Sequence, residues 1–420
     1  MKIQSVRGVK DVLPGEVEKW QQVEGTAHEV FARYGFNEIR VPIFEYTHLF
    51  ARGLGESTDI VEKEMYTFKD QSGDKITLRP EGTASTVRSF IEHKMYNPPD
   101  LTKLYYIGPM FRYERPQAGR FRQFNQIGVE AMGSSAPSVD AEVISMAMDF
   151  FGRLRLDNME LQLNTLGCNS CRPAYREILK EAISKHLGEL CENCRQRYER
   201  NPLRVLDCKV EHDRAVAQNL PKMVSHACET CKNDFEEVKT LLDCAKIPFT
   251  LNSNLVRGLD YYNRTAFEVI STSLGSQNAV CGGGRYDTLV EQFGGPETPC
   301  FGFALGLERL ISIVPFDNAH KWAKTPDIFV VCLGPSARNK SFGVVQDLRR
   351  EGFSVERSPE EGSMKSQMRK ANRSGCRFVL IIGENEIKAG KYILKKMEGG
   401  NQTEISAFSA LTEIKLQILK

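Results

Sequence analysis

Segments rich in β-forming residues occur on both sides of a helical, cysteine-rich stretch, and this interruption constrains the fold of the chain most. After a first helix that begins past Pro14-Gly15, short strand-like runs separated by turns continue to about residue 133, and similar runs resume at Thr250. Residues 168–247 between them hold eight of the twelve cysteines, many charges and helical patterns. We therefore expect one β-rich domain that carries residues 168–250 as a helical insertion.

A different pattern follows a boundary near residues 318–326. Buried-type strands at Asp327–Leu333 and Phe378–Ile382 alternate with helical segments, which predicts a separate α/β unit with a mostly parallel sheet. The chain then divides into a domain at 1–320, including the insertion, and a domain at 325–420.

Charge and composition exclude several classes of protein. Lys and Arg number 56 against 54 Asp and Glu, a net charge of +2, so the chain is no polybasic-tail binder. The charge is uneven, with +5 over residues 325–420 and −3 elsewhere. This asymmetry suits a surface that contacts phosphates, although an ordinary solvated surface remains the alternative. A hydrophobic content of 41% excludes a disordered chain.

The cellular location is indicated by what the sequence does not contain. The N-terminus has no apolar core of a signal peptide, and the longest apolar runs are of strand length, far too short to span a membrane. Twelve cysteines in this context indicate reduced thiols or metal ligands rather than a disulfide framework. We expect a cytosolic protein.

The segment Phe111-Arg112-Tyr113-Glu114 opens the most informative stretch of the chain. Four arginines lie between residues 112 and 122 against one glutamate, in a loop between two strand-like runs. Arginine forks match phosphate oxygens, and an Arg-x-Glu pair on one strand would place both side chains on one face. There the arginine could hold a phosphate while the glutamate contacts a base amine or magnesium. The alternative is a charged hairpin with solvated tips.

Four further motifs suit ligand binding. In Arg257-Gly-Leu-Asp-Tyr-Tyr, an arginine beside two tyrosines suits a pocket for a small polar anion, or a strand packed on both faces. Gly282-Gly-Gly-Arg-Tyr-Asp lets the backbone approach a ligand closely, unless it is only a bulged turn. Gly306-Leu-Glu-Arg begins a helix whose arginine could reach a phosphate, and Arg79-Pro-Glu-Gly-Thr is a turn that presents a glutamate and a threonine. No P-loop and no Rossmann glycine motif occurs.

In their order along the chain and in their residues, these five motifs resemble those of the bacterial histidyl-tRNA synthetases. The similarity covers the whole chain from Arg7-Gly-Val-Lys onward. The Phe-Arg-x-Glu and Gly-Leu-Glu-Arg motifs are shared by class II synthetases generally, whereas those at 257–262 and 282–287 are specific to the histidyl branch. The resemblance implies an α+β class II core, a six-stranded antiparallel sheet flanked by helices, with a C-terminal anticodon-binding domain and a homodimer. It implies activation of L-histidine with ATP and Mg²⁺ as co-substrate, followed by transfer to the 3′ end of the histidine tRNA.

The resemblance also implies roles for individual residues. The catalytic arginines would be Arg112 on the α-phosphate, Arg257 near the α-phosphate and the substrate carboxylate, and Arg309 on the γ-phosphate. ATP would be bound by Arg112, Glu114, Phe124 (the ring under adenine) and Arg309. Histidine would be bound by Glu81, Gly82, Thr83, Arg112, Gln126, Glu130, Arg257, Tyr261 and Tyr262. Gln117 and Arg120, with Arg122 as a further candidate, would meet the acceptor end of the tRNA, and Pro42 would lie at the dimer interface.

Three rival functions fit parts of the same pattern. A catalytically inactive paralogue that regulates ATP phosphoribosyltransferase in histidine biosynthesis keeps the core but typically loses the arginine motif at 257–262 and the C-terminal domain. Both are present here. A synthetase for threonine or proline would not need the histidyl-specific motifs, and an RNA-binding module without activity would not need Arg112, Arg257 and Arg309 together.

The cysteine array predicts a structural metal site. Cys168-x-x-Cys171, Cys191-x-x-Cys194 and Cys228-x-x-Cys231 are pairs of the kind that bind zinc through four thiolates. We expect the pairing of Cys191 and Cys194 with Cys228 and Cys231, in an array that also includes Cys208. The alternative is that CxxC only starts exposed helical turns. Many relatives lack several of these cysteines, so any zinc would be structural.

Overall fold

The fold is described from a computed structural model that covers residues 3–55, 58, 60–115, 119–274, 278–317 and 324–418. The chain forms two compact units, Met1–Asn318 and Ala319–Lys420. Within the described ranges, no helix is both long enough and apolar enough to cross a lipid bilayer.

The first unit contains eleven strands in its described part. They are β1 (Asn37–Glu38), β2 (Phe44–Tyr46), β3 (Tyr66–Lys69), β4 (Lys75–Leu78), β5 (Thr102–Phe111), β6 (Gln123–Met132), β7 (Met159–Thr165), β8 (Thr250–Leu251), β9 (Asn263–Ser271), β10 (Ala279–Arg285) and β11 (Cys300–Gly306). Eight of these form one sheet in the order β1-β5-β6-β11-β10-β9-β7-β8, and β2-β4-β3 form a small antiparallel sheet.

The prediction of six antiparallel strands is confirmed for the centre of the large sheet, β5-β6-β11-β10-β9-β7. At each edge a two-residue strand adds in parallel, β1 on β5 and β8 on β7. Strands this short leave no periodic signal in the sequence.

Helices flank the sheet and also form the stretch between β7 and β8. They are α1 (Val17–Arg33), α2 (Thr47–Leu54), α3 (Thr83–Glu92), α4 (Pro137–Arg153), α5 (Arg172–Ser184), α6 (Glu192–Arg200), α7 (Glu211–Asn219), α8 (Met223–His226), α9 (Glu229–Cys244), α10 (Leu289–Gln292) and α11 (Leu307–Ile313). A π-helical turn spans Ile60–Glu64 and a 3₁₀ turn spans Pro202–Val205.

The apolar stripe of α1 shows how the helices cover one face of the sheet. Val23, Ala27, Val30 and Phe31 recur at helical spacing and are fully buried. They join a core with α4 and with alternate strand residues such as Phe303. Because neighbouring residues of a strand point to opposite faces, the residues between these apolar ones face the other side of the sheet.

The second unit is built on a five-stranded sheet in the order β13-β12-β14-β15-β16. Its elements are β12 (Ile328–Leu333), α12 (Pro335–Arg350), β13 (Val355–Arg357), α13 (Met364–Ser374), β14 (Phe378–Gly383), α14 (Glu384–Lys388), β15 (Lys391–Lys396), β16 (Gln402–Ser406) and α15 (Ala410–Ile418). The parallel arrangement predicted for its buried strands is confirmed for β13, β12 and β14. The antiparallel strands β15 and β16 complete the sheet and were not predicted.

Candidate active site

Small residues in the middle of the large sheet form the floor of the site. The strand register places Glu268, Gly282, Ala304, Gly128 and Tyr106 side by side across β9, β10, β11, β6 and β5. A Cβ atom on Gly282 would lie 2.2 Å from an Nη1 atom of the arginine above it, Arg257. Glycine at this position therefore lets a guanidinium lie against the sheet.

A cavity of about 260 Å³ lies over this floor. It is lined by seven of the residues predicted from the sequence: Arg112, Glu114, Arg120, Phe124, Gln126, Arg257 and Arg309. Four of the seven are arginines, and the cavity wall carries three glutamates in all, Glu114, Glu268 and Glu308. The wall therefore has an excess of positive charge, which favours an anionic ligand.

Among the arginines of this cavity, Arg309 is the one that forms no salt bridge with a described residue. Its Nη1 atom donates to the carbonyl oxygen of Ala279 at 2.5 Å. Burial lowers its pKa, and repulsion from Arg120 lowers it further. Glu114 and Glu268 offset part of this effect. Two neighbouring cations suit a group with several negative oxygens, such as a polyphosphate.

Arg112 and Glu114 lie beyond the end of β5, so the prediction that they share one strand is wrong. The chain turns there, and the N–H of Glu114 donates to the carbonyl oxygen of Arg112 at 2.8 Å. Arg112 Nε donates to the carbonyl oxygen of Pro80 at 2.8 Å, and its guanidinium lies 5.3 Å from the ring centre of Phe124. Glu114 lies 3.8 Å from Arg112 Nη1 and 3.2 Å from Arg120 Nη1. Both predicted groups still face the cavity.

Arg257 is held between an acid and an aromatic ring. Its Nη1 atom donates to Glu268 Oε1 at 2.8 Å, and its guanidinium lies 5.6 Å from the ring centre of Tyr262. Its buried Nε has no hydrogen-bond partner among the described residues. Glu268 was not predicted as part of the site, and the one available signal was a charged residue inside the apolar run Ala266–Ile270.

Behind the cavity, Glu130 lies among tyrosines. It is only 1% exposed, and Tyr286 Oη donates to its Oε2 atom. Its Oε1 atom is buried and has no hydrogen-bond partner among the described residues. Burial raises the pKa of Glu130 to about 8, against a lowering by the Tyr286 hydroxyl. An orphaned carboxylate oxygen in an enclosed aromatic pocket is suited to an N–H group of a ligand.

The rings of Tyr261 and Tyr262 near Glu130 are tilted against each other, and both meet Tyr286 edge to face. Tyr261 lies 4.6 Å from Tyr262 and 5.6 Å from Tyr286 between ring centres. Tyr286 was not predicted to have a role, although it lies inside a motif that was singled out. Tyr106, also not predicted, lies over Gly128 and donates to Gln126 Oε1 at 3.5 Å.

Glu81 and Thr83 meet at the start of α3. The carboxylate of Glu81 accepts the N–H of Thr83 at 2.7 Å and the N–H of Ala84 at 3.0 Å, on separate oxygens. Burial raises the pKa of Glu81, and these hydrogen bonds lower it. Each carboxylate oxygen has two lone pairs, so Glu81 can cap the helix and still accept a hydrogen bond from a ligand ammonium group.

Two predicted residues lie apart from this group. Pro42 lies on an exposed segment, where its carbonyl oxygen accepts a hydrogen bond from Arg79 Nη1 at 3.3 Å. Gln117 falls outside the described residues.

The cysteine pairing predicted from the sequence is wrong. Cys228 and Cys231 lie with Cys168 and Cys171, while Cys191 and Cys194 lie with Cys208 and Asp213. In each group the potential ligand atoms are all within 4.8 Å of one another. Sequence spacing identifies CxxC pairs but does not tell which pairs meet, because helices of different length separate them.

Comparisons with known proteins agree with this geometry. The family model described as histidyl-tRNA synthetase matches residues 8–310, and the model described as anticodon binding domain matches residues 327–417. Together they cover both units of the chain.

Individual relatives match over nearly the full length. The chain is 50% identical to a curated histidine–tRNA ligase of Desulforamulus reducens, over 95% of this chain and 96% of the relative, and 48% identical to one of Geobacter metallireducens, over 96% and 97%. It also resembles the crystal structure of apo S. aureus histidyl-tRNA synthetase, with 37% identity, a TM-score of 0.83 and coverage of 99% of this chain and 100% of that chain. The chain therefore belongs to the histidyl-tRNA synthetase family.

Proposed function

We propose that the cavity and the adjoining tyrosine pocket activate L-histidine with ATP to give histidyl-adenylate, and that the histidyl group then passes to the 3′ end of the histidine tRNA. The chain is a class II aminoacyl-tRNA synthetase, and its curated relatives at about 50% identity are histidine–tRNA ligases. We also propose that the enzyme acts in the cytosol, where its tRNA substrate serves translation.

In the first step, the histidine carboxylate attacks the α-phosphorus of ATP and pyrophosphate leaves. The nucleophile is already ionised, so the protein does not need to supply a base. Its contribution is to position the reactants and to neutralise charge that develops on the phosphate oxygens. We assign Arg112 and Arg257 to the α-phosphate and Arg309 to the γ-phosphate of the Mg²⁺-bound ATP, with Phe124 under the adenine and Glu114 near the base.

The amino acid is recognised in the tyrosine pocket. We assign the free Oε1 atom of Glu130 to an N–H of the imidazole, with Tyr261 and Tyr262 around the ring. Glu81, Thr83 and Gln126 hold the ammonium end, and Gly82 lets the ring of Tyr106 pack against this turn. Because a buried hydrogen-bonding group rejects ligands that cannot pair with it, this arrangement selects histidine beyond what shape alone provides.

In the second step, the terminal hydroxyl of the tRNA attacks the carbonyl carbon of the adenylate. The new ester bond forms as the bond to AMP breaks, AMP leaves with the bonding electrons, and the hydroxyl proton is released by way of the departing phosphate to solvent. We assign Arg120, and Gln117 outside the described residues, to the acceptor end of the tRNA. The domain at 325–420, with its charge of +5, is assigned to the anticodon.

The observation that carries this proposal is the four-arginine cavity that adjoins a buried carboxylate with one unpaired oxygen. The test is ATP–pyrophosphate exchange with each of the twenty amino acids in turn, followed by charging of histidine tRNA. We expect exchange with histidine alone. Exchange with another amino acid, or none with any, would contradict the proposal.

Nothing in the comparisons favours the catalytically inactive paralogue. That protein typically lacks the arginine motif and the C-terminal domain, whereas here the family model for the anticodon domain matches residues 327–417 and Arg257 lines the cavity. Absence of ATP–pyrophosphate exchange together with binding to ATP phosphoribosyltransferase would favour the function of the inactive paralogue instead.

We also propose that the enzyme is a homodimer that meets through the segment around Pro42. Next to this proline, Ile43, Phe44 and Tyr46 are 44%, 58% and 52% exposed, an apolar group that a partner would cover. Sedimentation should show a dimer for the wild type and dissociation for Phe44→Glu, because a buried carboxylate at the interface lacks a partner. A monomeric wild type would contradict the assignment.

A further inference from the structure

We propose that the stretch between β7 and β8 binds two zinc ions, one through Cys168, Cys171, Cys228 and Cys231 and one through Cys191, Cys194, Cys208 and Asp213. The first four are called the thiolate site and the second four the mixed site. Neither site takes part in the proposed chemistry, and both are structural.

The thiolate site has the dimensions of a tetrahedral zinc centre. Zinc–sulfur bonds of about 2.3 Å in a tetrahedron place neighbouring sulfurs roughly 3.8 Å apart. Cys168 Sγ lies 3.6 Å from Cys171 Sγ and 3.9 Å from Cys228 Sγ. All four sulfurs lie within 4.8 Å of one another, which leaves room for a single ion between them.

The mixed site brings a buried carboxylate among thiols. Cys191 Sγ lies 3.9 Å from Cys208 Sγ, and Cys208 Sγ lies 3.2 Å from Asp213 Oδ2. Asp213 is 1% exposed and accepts hydrogen bonds only from this group, with no cationic side chain among the described residues near it. A buried carboxylate without a cation is costly, and a divalent ion bound by three thiolates would supply the missing charge.

Helix ends also favour thiolates at both sites. Cys171, Cys191 and Cys228 are the N-cap residues of α5, α6 and α9. The partial positive charge of a helix N-terminus stabilises an anionic sulfur, which is the form that binds a metal. A tetrahedral site with four thiolates is typical of structural zinc, and zinc also accepts a carboxylate oxygen as a ligand.

The thiolate site would link the beginning of the inserted stretch to its last helix, α9. It joins residues just after β7 to residues at the start of α9, sixty positions apart in the chain. A link between such distant positions removes conformational freedom from the unfolded chain, and zinc binding of this kind contributes directly to folding. The mixed site would fix α6 against the start of α7 in the same way.

The test is elemental analysis of full-length protein purified without chelators, with matched cysteine variants. We expect two zinc ions per chain in the wild type. Cys228→Ser and Cys208→Ser should each reduce the content to one, and Cys244→Ser should leave it at two, because Cys244 is exposed and belongs to neither group. A wild-type content of one zinc or none, or iron in its place, would overturn the proposal.

X-ray absorption at the zinc edge of the wild-type protein provides a measurement that does not depend on any variant folding. We expect mostly sulfur ligands at about 2.3 Å with a minority of oxygen at about 2.0–2.2 Å. A first shell of nitrogen and oxygen alone would overturn the proposal, because such zinc would be bound at the surface rather than by the cysteines.

Discussion

At the scale of single residues, Arg257 is a cavity arginine whose position is fixed by its neighbours. Glu268 pairs with it at 2.8 Å and Tyr262 flanks it, so the guanidinium is held at the cavity wall. Replacing Arg257 by alanine removes one preorganised charge from the α-phosphate, and loss of one such group typically costs about 10²–10³ in rate. We therefore expect Arg257→Ala to lose ATP–pyrophosphate exchange by at least that factor while histidine binding, measured by calorimetry, largely survives.

A surface arginine serves as the matched control. Arg33 lies in the last turn of α1, where its side chain is 51% exposed and 3.8 Å from Glu29. Arg33→Ala should exchange at the wild-type rate. Near-wild-type exchange by Arg257→Ala would refute the role assigned to it.

The protonation of Glu130 predicts a bell-shaped pH dependence for histidine. The pKa of Glu130 is about 8 in the free protein, and that of free imidazole is about 6.5. In the complex one proton lies between the carboxylate and the ring. Below about pH 6.5, Glu130 and the imidazole of free histidine are both protonated, so binding must release one proton. Above about pH 8, neither group is protonated, so binding must take up one proton. We expect kcat/KM for histidine to be highest between these values and to fall by up to about tenfold per pH unit on either side.

The variant Glu130→Gln separates this effect from other titrations. The surroundings of Glu130 contain Glu81 and the hydroxyls of Tyr106, Tyr261 and Tyr286, and burial raises the pKa of each. The amide cannot titrate, so the alkaline fall should disappear while the acid fall, which belongs to free histidine, remains. An alkaline fall unchanged in Glu130→Gln would show that another group causes it.

At the scale of elements, the inserted helices also support the loop at 257–262, to which a catalytic role is assigned above. Arg172, next to a thiolate-site cysteine, donates to the carbonyl oxygen of Tyr262 at 2.7 Å. Arg204 donates to the carbonyl oxygen of Gly258 at 2.8 Å, and Asn201 donates to Asp260 at 2.8 Å. A stretch that carries none of the predicted catalytic residues thus holds the backbone of one that does.

These contacts mark the limit of prediction from the sequence. Several strands and the long helices follow from local patterns, whereas the six-stranded antiparallel sheet and the roles of the arginine motifs are implied by the resemblance to a family. Arg172 and Glu268 are single charged residues in ordinary surroundings. Arg172 binds the backbone of Tyr262 far along the chain, and Glu268, on β9, binds Arg257 in the loop before that strand. Such pairs exist only once the strand register is set, and the register is a property of the whole sheet.

Strand β10 provides a test of how an element positions a catalytic side chain. The three atoms nearest to a Cβ atom on Gly282 would all belong to the guanidinium of Arg257, at 2.2–2.4 Å, so the arginine would have to move away from the strand and from Glu268. We expect Gly282→Ala to reduce ATP–pyrophosphate exchange more than tenfold while its melting temperature stays within a few degrees of wild type.

The matched control is Gly25→Ala on α1, where nothing lies within 4 Å of the added methyl group. The free energy of unfolding should rise by about 1 kcal/mol with no change in exchange.

The two measurements on Gly282→Ala also distinguish the roles of the glycine. Loss of exchange without loss of stability supports the close approach of Arg257 to the strand. A large fall in melting temperature would instead show that the glycine is required by the sheet itself.

At the scale of the whole molecule, a net charge of +2 combines −3 over residues 1–324 with +5 over residues 325–420. The first unit holds positive charge in a few arginines around one cavity, at short range and partly buried. Residues 325–420 spread their positive charge over most of the second unit. Composition therefore predicts how charge divides between the units, but not which side chains of the second unit meet phosphates.

This division predicts that the two half-reactions respond differently to salt. Affinity for single-stranded nucleic acid falls with a log–log slope of about −0.7 for each phosphate neutralised. With three or more such contacts, the KM for tRNA in aminoacylation should rise roughly twentyfold or more between 50 and 200 mM salt. Histidine carries no net charge at neutral pH and is bound at short range, so its KM in ATP–pyrophosphate exchange without tRNA should change less than about twofold over the same range. Equal salt dependence of the two KM values would show that diffuse charge does not contribute to tRNA binding.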